Sequence, residues 1–148
     1  MIQSIGFIGL GVLGSAMAAN LLKEGFPVVG FDVRQEALDS LGEQGLIAAT
    51  SPKDAADQTD VVVTCLPTIE VLQTVYGGEN GIGESSREGQ IVLETSTFPV
   101  AEKEKARDSV LPAGKRVLDC PVSGNRMLAE QKKLTAFASG DQADYEEV

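Results

Sequence analysis

The chain has 148 residues, of which 43% are hydrophobic, and its formal net charge is −10. A strongly acidic chain lacks the basic face that nucleic acid and anionic membranes require, so neither is expected as a partner. There is no histidine, and the two cysteines, Cys65 and Cys120, are far apart, which predicts no metal site and no histidine-dependent triad. The length suits one domain over residues 1–148. No apolar run is long enough to span a bilayer and no basic leader precedes the first one, so a cytoplasmic location is expected.

Strand-like and helix-like segments alternate along the chain, which predicts an α/β fold of the doubly wound Rossmann type with a mostly parallel sheet. The predicted strands cover residues 3–8, 27–31, 46–49, 60–66, 90–94, 115–120 and 134–138. The predicted helices cover residues 12–24, 35–44, 52–58, 69–76 and 100–110, and another helix opens at Gly140 and Asp141. A glycine-rich loop over 77–83 and a polar, basic segment over 123–133 separate the later elements.

The first predicted strand and helix are joined by GFIGLGVLG, residues 6–14, whose glycines have the G-x-G-x-x-G spacing. In a strand–turn–helix unit this spacing is typical of dinucleotide binding, because each glycine has its own task. Gly9 permits the tight turn, Gly11 lets a pyrophosphate approach the backbone, and Gly14 allows the helix to pack close to the strand. The N–H groups that open the helix then face the phosphates. A βαβ unit with a glycine turn and no ligand is the alternative.

Asp32 follows the second predicted strand and lies 18 residues after Gly14, close to the spacing of about 20 expected for the acid that binds the adenosine ribose. Its carboxylate would accept hydrogen bonds from ribose hydroxyls and repel a 2′-phosphate, which favours NAD over NADP. Capping of the following helix is the alternative role for Asp32. Arg34 is interpreted as a surface charge at the helix start, and its alternative role is to reach a 2′-phosphate.

Four blocks in this order resemble the N-terminal NAD-binding domain of the β-hydroxyacid dehydrogenases, the family of 3-hydroxyisobutyrate dehydrogenase, tartronate semialdehyde reductase and 6-phosphogluconate dehydrogenase. The blocks are GFIGLGVLGSAMAANLLK at 6–23, DVVVTCLP at 60–67, ETSTFP at 94–99 and DCPVSG at 119–124. This chain has Leu13 where the family usually has methionine, and Glu94 where it usually has aspartate. Asn125 replaces a second glycine, and residues 126–133 replace a glycine-rich stretch, so the substrate stays open.

The resemblance implies hydride transfer between a nicotinamide cofactor and a small 3-hydroxyacid or its semialdehyde. It implies that the cofactor is bound by Gly9, Leu10, Gly11, Val12, Leu13, Gly14, Asp32, Leu66, Pro67, Val71 and Thr97, and the position of Arg34 in the sequence adds it as a candidate. It implies that the substrate carboxylate is bound by Ser123, Gly124 and Asn125. The alternatives are a plain turn at Ser123 and Gly124, and helix capping by Ser96 and Thr97.

The resemblance also places the family's catalytic lysine on a long helix beyond Val148, so no catalytic residue is assigned within this chain. An all-helical C-terminal domain would follow. The chain is therefore expected to be part of a longer, homo-oligomeric enzyme and to be inactive alone. The alternative is a non-catalytic NAD-binding module that serves as a sensor or an assembly part.

Overall fold

The computed structural model describes residues 2–148 and confirms the alternation of strands and helices. The strands of the main sheet are β1 (Ile5–Ile8), β2 (Val28–Phe31), β3 (Ile47–Ala48), β4 (Val61–Thr64), β5 (Ile91–Glu94) and β6 (Arg116–Asp119). The helices are α1 (Val12–Lys23), α2 (Gln35–Gly42), α3 (Pro52–Asp57), α4 (Ile69–Gly77), α5 (Val100–Val110), α6 (Arg126–Glu130) and α7 (Gln142–Glu147). Short 3₁₀ turns at Ile82–Glu84 and Leu111–Ala113 precede β5 and β6.

The main sheet has the strand order β3-β2-β1-β4-β5-β6, and its neighbouring strands are all parallel. The chain therefore begins in the middle of the sheet, fills one side, and then crosses over to fill the other. Open sheets of this kind bind ligands beyond the carboxyl ends of the strands, where the strand order reverses. The reversal lies between β1 and β4, directly at the glycine turn. The expected doubly wound Rossmann-type fold is confirmed.

Each face of the sheet buries its own apolar cluster, because successive side chains of a strand point to opposite faces. On one face, Phe7 of β1 and Val63 of β4 pack beneath α1 and α2. On the other face, Ile8 and Val62 of the same strands pack beneath α3, α4 and α5. Burial on both faces explains why β4 reads as an unbroken apolar run in the sequence.

Local sequence signals set some of the helix boundaries. Ser51 caps α3, because its Oγ accepts the Asp54 N–H at 3.0 Å, and Pro52 occupies the first helical position. The glycine-rich stretch over 77–83 is only partly a loop. Helix α4 continues through Gly77, and the 3₁₀ turn begins at Ile82.

The region after β6 differs most from its prediction. The strand predicted over 134–138 is shortened to β8 (Thr135–Ala136), and it pairs antiparallel with β7 (Val122–Ser123) outside the main sheet. Within the segment predicted only as polar and basic, α6 forms and packs on α1, where the Asn20 side-chain amide donates to the Ala129 carbonyl oxygen at 2.7 Å. These are tertiary contacts between distant parts of the chain, which the local pattern does not encode.

Lys115 lies almost fully buried just before β6, with 2% of its surface exposed. Its Nζ donates to Ser85 Oγ at 3.1 Å, to the Arg87 carbonyl oxygen at 2.5 Å and to Gln90 Oε1 at 2.9 Å. All three acceptors are neutral. Burial therefore lowers the pKa of Lys115 to about 8 from its ordinary value of 10.5.

We predict that the contribution of Lys115 to stability becomes more favourable as the pH rises from about 8 to about 10.5. Below this window the side chain is protonated in both the folded and the unfolded chain, so the folded state bears the full free-energy cost of burying a charged group. Within the window the unfolded chain binds a proton that the folded chain has lost, so the free energy of unfolding rises with pH. Denaturant unfolding of wild type and Lys115→Met at pH 7 and pH 10 measures this contribution. The free energy of unfolding of the wild type minus that of the variant should rise by about 2 kcal/mol between the two pH values.

The comparison with Lys115→Met is needed because buried acids act in the opposite direction in both proteins. Burial raises the pKa of Tyr76, and it raises that of Cys120 to about 11. Both acids therefore cost stability as the pH rises towards and beyond their unfolded values. A stability difference that stays constant between the two pH values would show that Lys115 keeps the pKa of an exposed lysine.

Candidate functional site

The glycine turn after β1 packs directly against the end of β4. Gly9 has a φ of +93°, and a Cβ there would lie 2.1 Å from the Cys65 carbonyl oxygen. A Cβ at Gly14 would lie 2.0 Å from the Gly9 carbonyl oxygen. Any side chain at either position would push the turn or α1 away. The tight turn predicted at Gly9 and the close packing predicted at Gly14 are both present.

Gly11 differs from these two glycines because it faces open space. Its φ is −73°, which other residues adopt readily, and nothing lies within 4 Å of the position that a Cβ would take. It is the N-cap residue of α1, and no side chain caps the N–H groups of the first turn, which contains Val12 and Leu13. Uncapped N–H groups at the positive end of a helix dipole favour an anion. The cradle therefore fits a phosphate that approaches the backbone.

Asp32 joins the end of β2 to the glycine turn. Its Oδ2 accepts the Leu10 N–H at 2.8 Å, and its Oδ1 accepts the Arg34 N–H at 2.9 Å. Helix α2 begins after Arg34 without a side-chain cap, so Asp32 closes the turn that precedes the helix and the capping alternative is wrong. Burial alone would raise the pKa of Asp32, but the hydrogen bonds from Arg34 and Leu10 lower it, so the carboxylate is charged at neutral pH.

The guanidinium of Arg34 folds back over Asp32. Its Nε lies 3.0 Å from Asp32 Oδ1, and its Nη2 donates to the Leu10 carbonyl oxygen at 2.9 Å. The sequence predicted a surface charge and gave no sign of this pairing. The Asp32 side chain is only 9% exposed and both of its oxygens already accept hydrogen bonds, so a ligand hydroxyl at this carboxylate would share it with Arg34 and Leu10.

The other residues predicted to bind the cofactor follow β4 and β5 at the same edge of the sheet. Leu66 is buried and its N–H donates to Ser96 Oγ at 2.8 Å, while Pro67 next to it is exposed. Val71 lies in the first turn of α4, partly exposed, and Thr97 is exposed after Ser96. Helix α5 has Pro99 as its N-cap with no side-chain cap, so the capping alternative for Ser96 and Thr97 is wrong.

The residues predicted to bind the substrate follow β6, the next strand along the sheet. Ser123 ends β7, and Gly124 has a φ of +141° with its Cβ position 2.5 Å from Leu134 Cδ2. Asn125 caps α6, since its Oδ1 accepts the Leu128 N–H at 3.1 Å. The side-chain oxygen of Asn125 is thus already in use, which leaves its amide nitrogen as the group for a ligand.

Sequence reasoning missed one group of charged residues at this edge, made up of Glu94, Lys103 and Asp119. Glu94 was noted only because the family usually has aspartate there. Lys103 lies in a helix with many charges, and the pattern does not show which lysine of such a helix is buried. Within residues 2–148, the structure brings no three metal-ligating side chains together.

The fold and the turn geometry together define a dinucleotide-binding domain of the Rossmann type. A family model described as the NAD binding domain of 6-phosphogluconate dehydrogenase matches residues 4–148. The chain belongs to this family of NAD-binding domains.

The similarity to relatives extends over nearly the whole of this chain but over half or less of each relative's sequence. A Dictyostelium discoideum protein named probable mitochondrial 3-hydroxyisobutyrate dehydrogenase is 37% identical over 97% of this chain and 44% of its own. A Pseudomonas aeruginosa NAD-dependent L-serine dehydrogenase is 37% identical over 94% of this chain and 47% of its own. The Mycobacterium tuberculosis 3-hydroxyisobutyrate dehydrogenase structure with L-serine superposes with a TM-score of 0.92 at 31% identity, over 99% of this chain and 50% of that one. The chain thus spans about half the length of these relatives.

Substitutions in the glycine turn should distinguish the glycine that is needed for packing from the glycine that faces open space. We predict that Gly14→Ala lowers the free energy of unfolding by about 1–3 kcal/mol, because the added methyl group collides with the Gly9 carbonyl oxygen. Gly11→Ala should cost no more than about 1 kcal/mol, the difference between these residues at an N-cap. Urea unfolding of both variants measures this, and equal losses would mean that the turn is loosely packed.

Proposed function

We propose that this chain is the cofactor-binding part of an oxidoreductase that transfers a hydride between NAD(H) and a small 3-hydroxyacid or its semialdehyde. The observation that carries the proposal is the uncapped start of α1 at Gly11, with the charged carboxylate of Asp32 at the end of the next strand. Membership of the NAD-binding family supports the cofactor. NAD, when bound, supplies the hydride acceptor, and NADH supplies the donor.

Each part of the site would hold a different part of the dinucleotide. The backbone of Leu10, Gly11, Val12 and Leu13 would bind the pyrophosphate, and Asp32 with Arg34 would bind the adenosine ribose. The cofactor would run along three residues that follow β4, namely Leu66, Pro67 and Val71. Thr97, which follows β5, would lie near the nicotinamide. The resemblance to the family suggests this distribution, and the shared carboxyl edge of β1, β2, β4 and β5 supports it.

The substrate class follows from what two of the relatives are named for. 3-Hydroxyisobutyrate and L-serine each carry a hydroxyl group on the carbon β to a carboxylate. Ser123 and Gly124 lie after β6, so their backbone N–H groups and the Ser123 hydroxyl would bind such a carboxylate. Asn125 would add its amide nitrogen. The departures from the family over 125–133 leave the particular hydroxyacid open.

Several wider expectations remain proposals. The residues over 1–148 are proposed to form one domain, and the enzyme to which they belong is proposed to be a homo-oligomer. Among residues 2–148 there is no helix with the length and apolar character that crossing a membrane requires. The cytoplasmic location stays a prediction, and the Dictyostelium relative is named mitochondrial. The non-catalytic module also stays a prediction.

Gly11→Val tests the pyrophosphate site. The side chain of valine would fill the open space beside the first turn of α1, so we predict loss of NADH binding with only the small loss of stability, about 1 kcal/mol, that replacing an N-cap glycine costs. Calorimetric titration measures the binding. Gly42→Val is the matched control, because a Cβ at this position at the end of α2 also meets nothing within 4 Å. NADH binding by Gly11→Val at wild-type strength would place the phosphates elsewhere.

Asp32→Asn tests the choice between the two cofactors. We predict that the wild type binds NADH more tightly than NADPH by roughly 1–3 kcal/mol, because a 2′-phosphate would replace a charge-assisted hydrogen bond with repulsion. The variant should narrow this gap, since it removes the repulsion and releases Arg34 from its ion pair.

Titration of both proteins with both cofactors measures the gap. Asp39→Asn, at an exposed position of α2, changes the net charge equally and should leave the gap as it is. Equal or tighter NADPH binding by the wild type would mean that Arg34 outweighs Asp32 and that the assignment of NAD is wrong.

A further inference from the structure

Lys103 of α5 is the centre of a partly buried ionic cluster at the carboxyl ends of β5 and β6, in which the Glu94 side chain is enclosed and the Asp119 side chain is 42% exposed. The Lys103 side chain is 11% exposed, and its Nζ lies 2.9 Å from Oε2 of Glu94, the last residue of β5. The same Nζ donates to Oδ1 of Asp119, the last residue of β6. Burial alone would lower the pKa of Lys103, but the bonds to Asp119 and Glu94 raise it, so the side chain is an ammonium ion.

Glu94 connects this ammonium ion to the neighbouring turn. The Glu94 side chain is 3% exposed, and its Oε1 accepts the Ser96 N–H at 2.9 Å. Ser96 Oγ in turn accepts the Leu66 N–H from the end of β4 at 2.8 Å. A continuous series of polar contacts therefore crosses the carboxyl ends of three adjacent strands, with Lys103 as its cation.

The cluster lies beneath two turns that bear candidate site residues. Thr97 directly follows Ser96, whose two polar groups are both fixed by the series of contacts. Beyond Asp119 the chain runs to Ser123 through a short link that begins with Cys120, whose N–H donates to the Glu94 carbonyl oxygen at 2.8 Å. One ammonium ion thus contacts the last strand residue before each of the two turns.

We propose that Lys103 is a positioning residue that fixes the turn bearing Thr97 and the turn bearing Ser123 relative to each other, and so orders the nicotinamide end of the site. This inference rests on the proposed function. A buried ion pair is often no more stabilising than apolar residues of the same volume, because both charges lose their hydration. The contacts are nevertheless specific in geometry, because Lys103 Nζ donates a hydrogen bond to Asp119 and lies at ion-pair distance from Glu94 Oε2. Together they connect the strand ends that must be aligned.

The experiment compares the binding of two ligands that both contain adenosine and a pyrophosphate. ADP-ribose contains the adenosine and the pyrophosphate but lacks the nicotinamide, whereas NADH contains all three. We predict that Lys103→Met weakens NADH binding by about 2- to 30-fold and leaves ADP-ribose binding unchanged in the 148-residue chain. Lys105→Met is the matched control, because Lys105 is exposed on the same helix, and both affinities should equal those of the wild type.

The outcomes separate this inference from the proposed function. If the wild type binds neither ligand, the proposed function fails. If the wild type binds both ligands equally well, or Lys103→Met weakens both by the same factor or neither, the dinucleotide site stands and the positioning role of Lys103 is wrong. A general loss of folded protein would lower both affinities together, so it cannot imitate the selective loss.

A double variant covers the case in which Lys103→Met does not fold because the Glu94 carboxylate is left buried without a cation. Lys103→Met with Glu94→Gln removes both charges and should restore the thermal midpoint. The positioning role requires that NADH binding stays weakened in this folded protein, with ADP-ribose binding intact. Recovery of full NADH affinity would show that only the unpaired charge mattered, and would overturn the inference. Lys103→Arg keeps the cation and should retain most of the NADH affinity.

Discussion

The close contact between the glycine turn and the end of β4 is the constraint on which the rest of the site depends. Gly9 and Gly14 have no side chains, so the turn lies against the Cys65 carbonyl group and α1 starts directly above the point where the strand order reverses. Only then do the first N–H groups of α1 face open space at Gly11. Asp32 holds the same turn from the other side through the Leu10 N–H. The absence of side chains at Gly9 and Gly14 thus sets both the position of α1 and the direction in which its first N–H groups point.

The two halves of the carboxyl edge of the sheet differ in the groups that supply positive charge. The chain has a net charge of −10, which opposes anionic ligands at long range. Around β1 and β2 the positive character comes from backbone N–H groups and from Arg34, which also neutralises Asp32. Around β5 and β6 one partly buried lysine from α5 contacts the carboxylates of both Glu94 and Asp119, so its single charge offsets only one of the two. The first half offers uncapped backbone N–H groups, while the second pairs a lysine with carboxylates of its own, of which that of Asp119 is still 42% exposed.

The strands that follow β6 form a separate two-stranded sheet outside the main one. Residues 122–136 form a small hairpin around α6, which packs on α1 through the contact between Asn20 and Ala129. Asn125, which replaces a glycine of the family, both caps α6 and lies beside Ser123 and Gly124. A change at this position therefore alters the start of α6 as well as the polar group beside Ser123 and Gly124.

The sequence by itself determined the fold class, the order of the elements, and the placing of the glycine turn and Asp32 at one edge. It did so because the alternation of strands and helices, the glycine spacing and the signals at Ser51 and Pro52 act within a few residues of each other. The tertiary structure alone decided which charged side chains meet. The pairing of Arg34 with Asp32 depends on the fold of one turn. The burial of Lys115 and the joining of Lys103 to Glu94 and Asp119 depend on strands and helices that are brought together by packing. Burial and pairing are properties of distances across the fold, and a charged residue in a linear pattern looks the same whether it is solvated or enclosed.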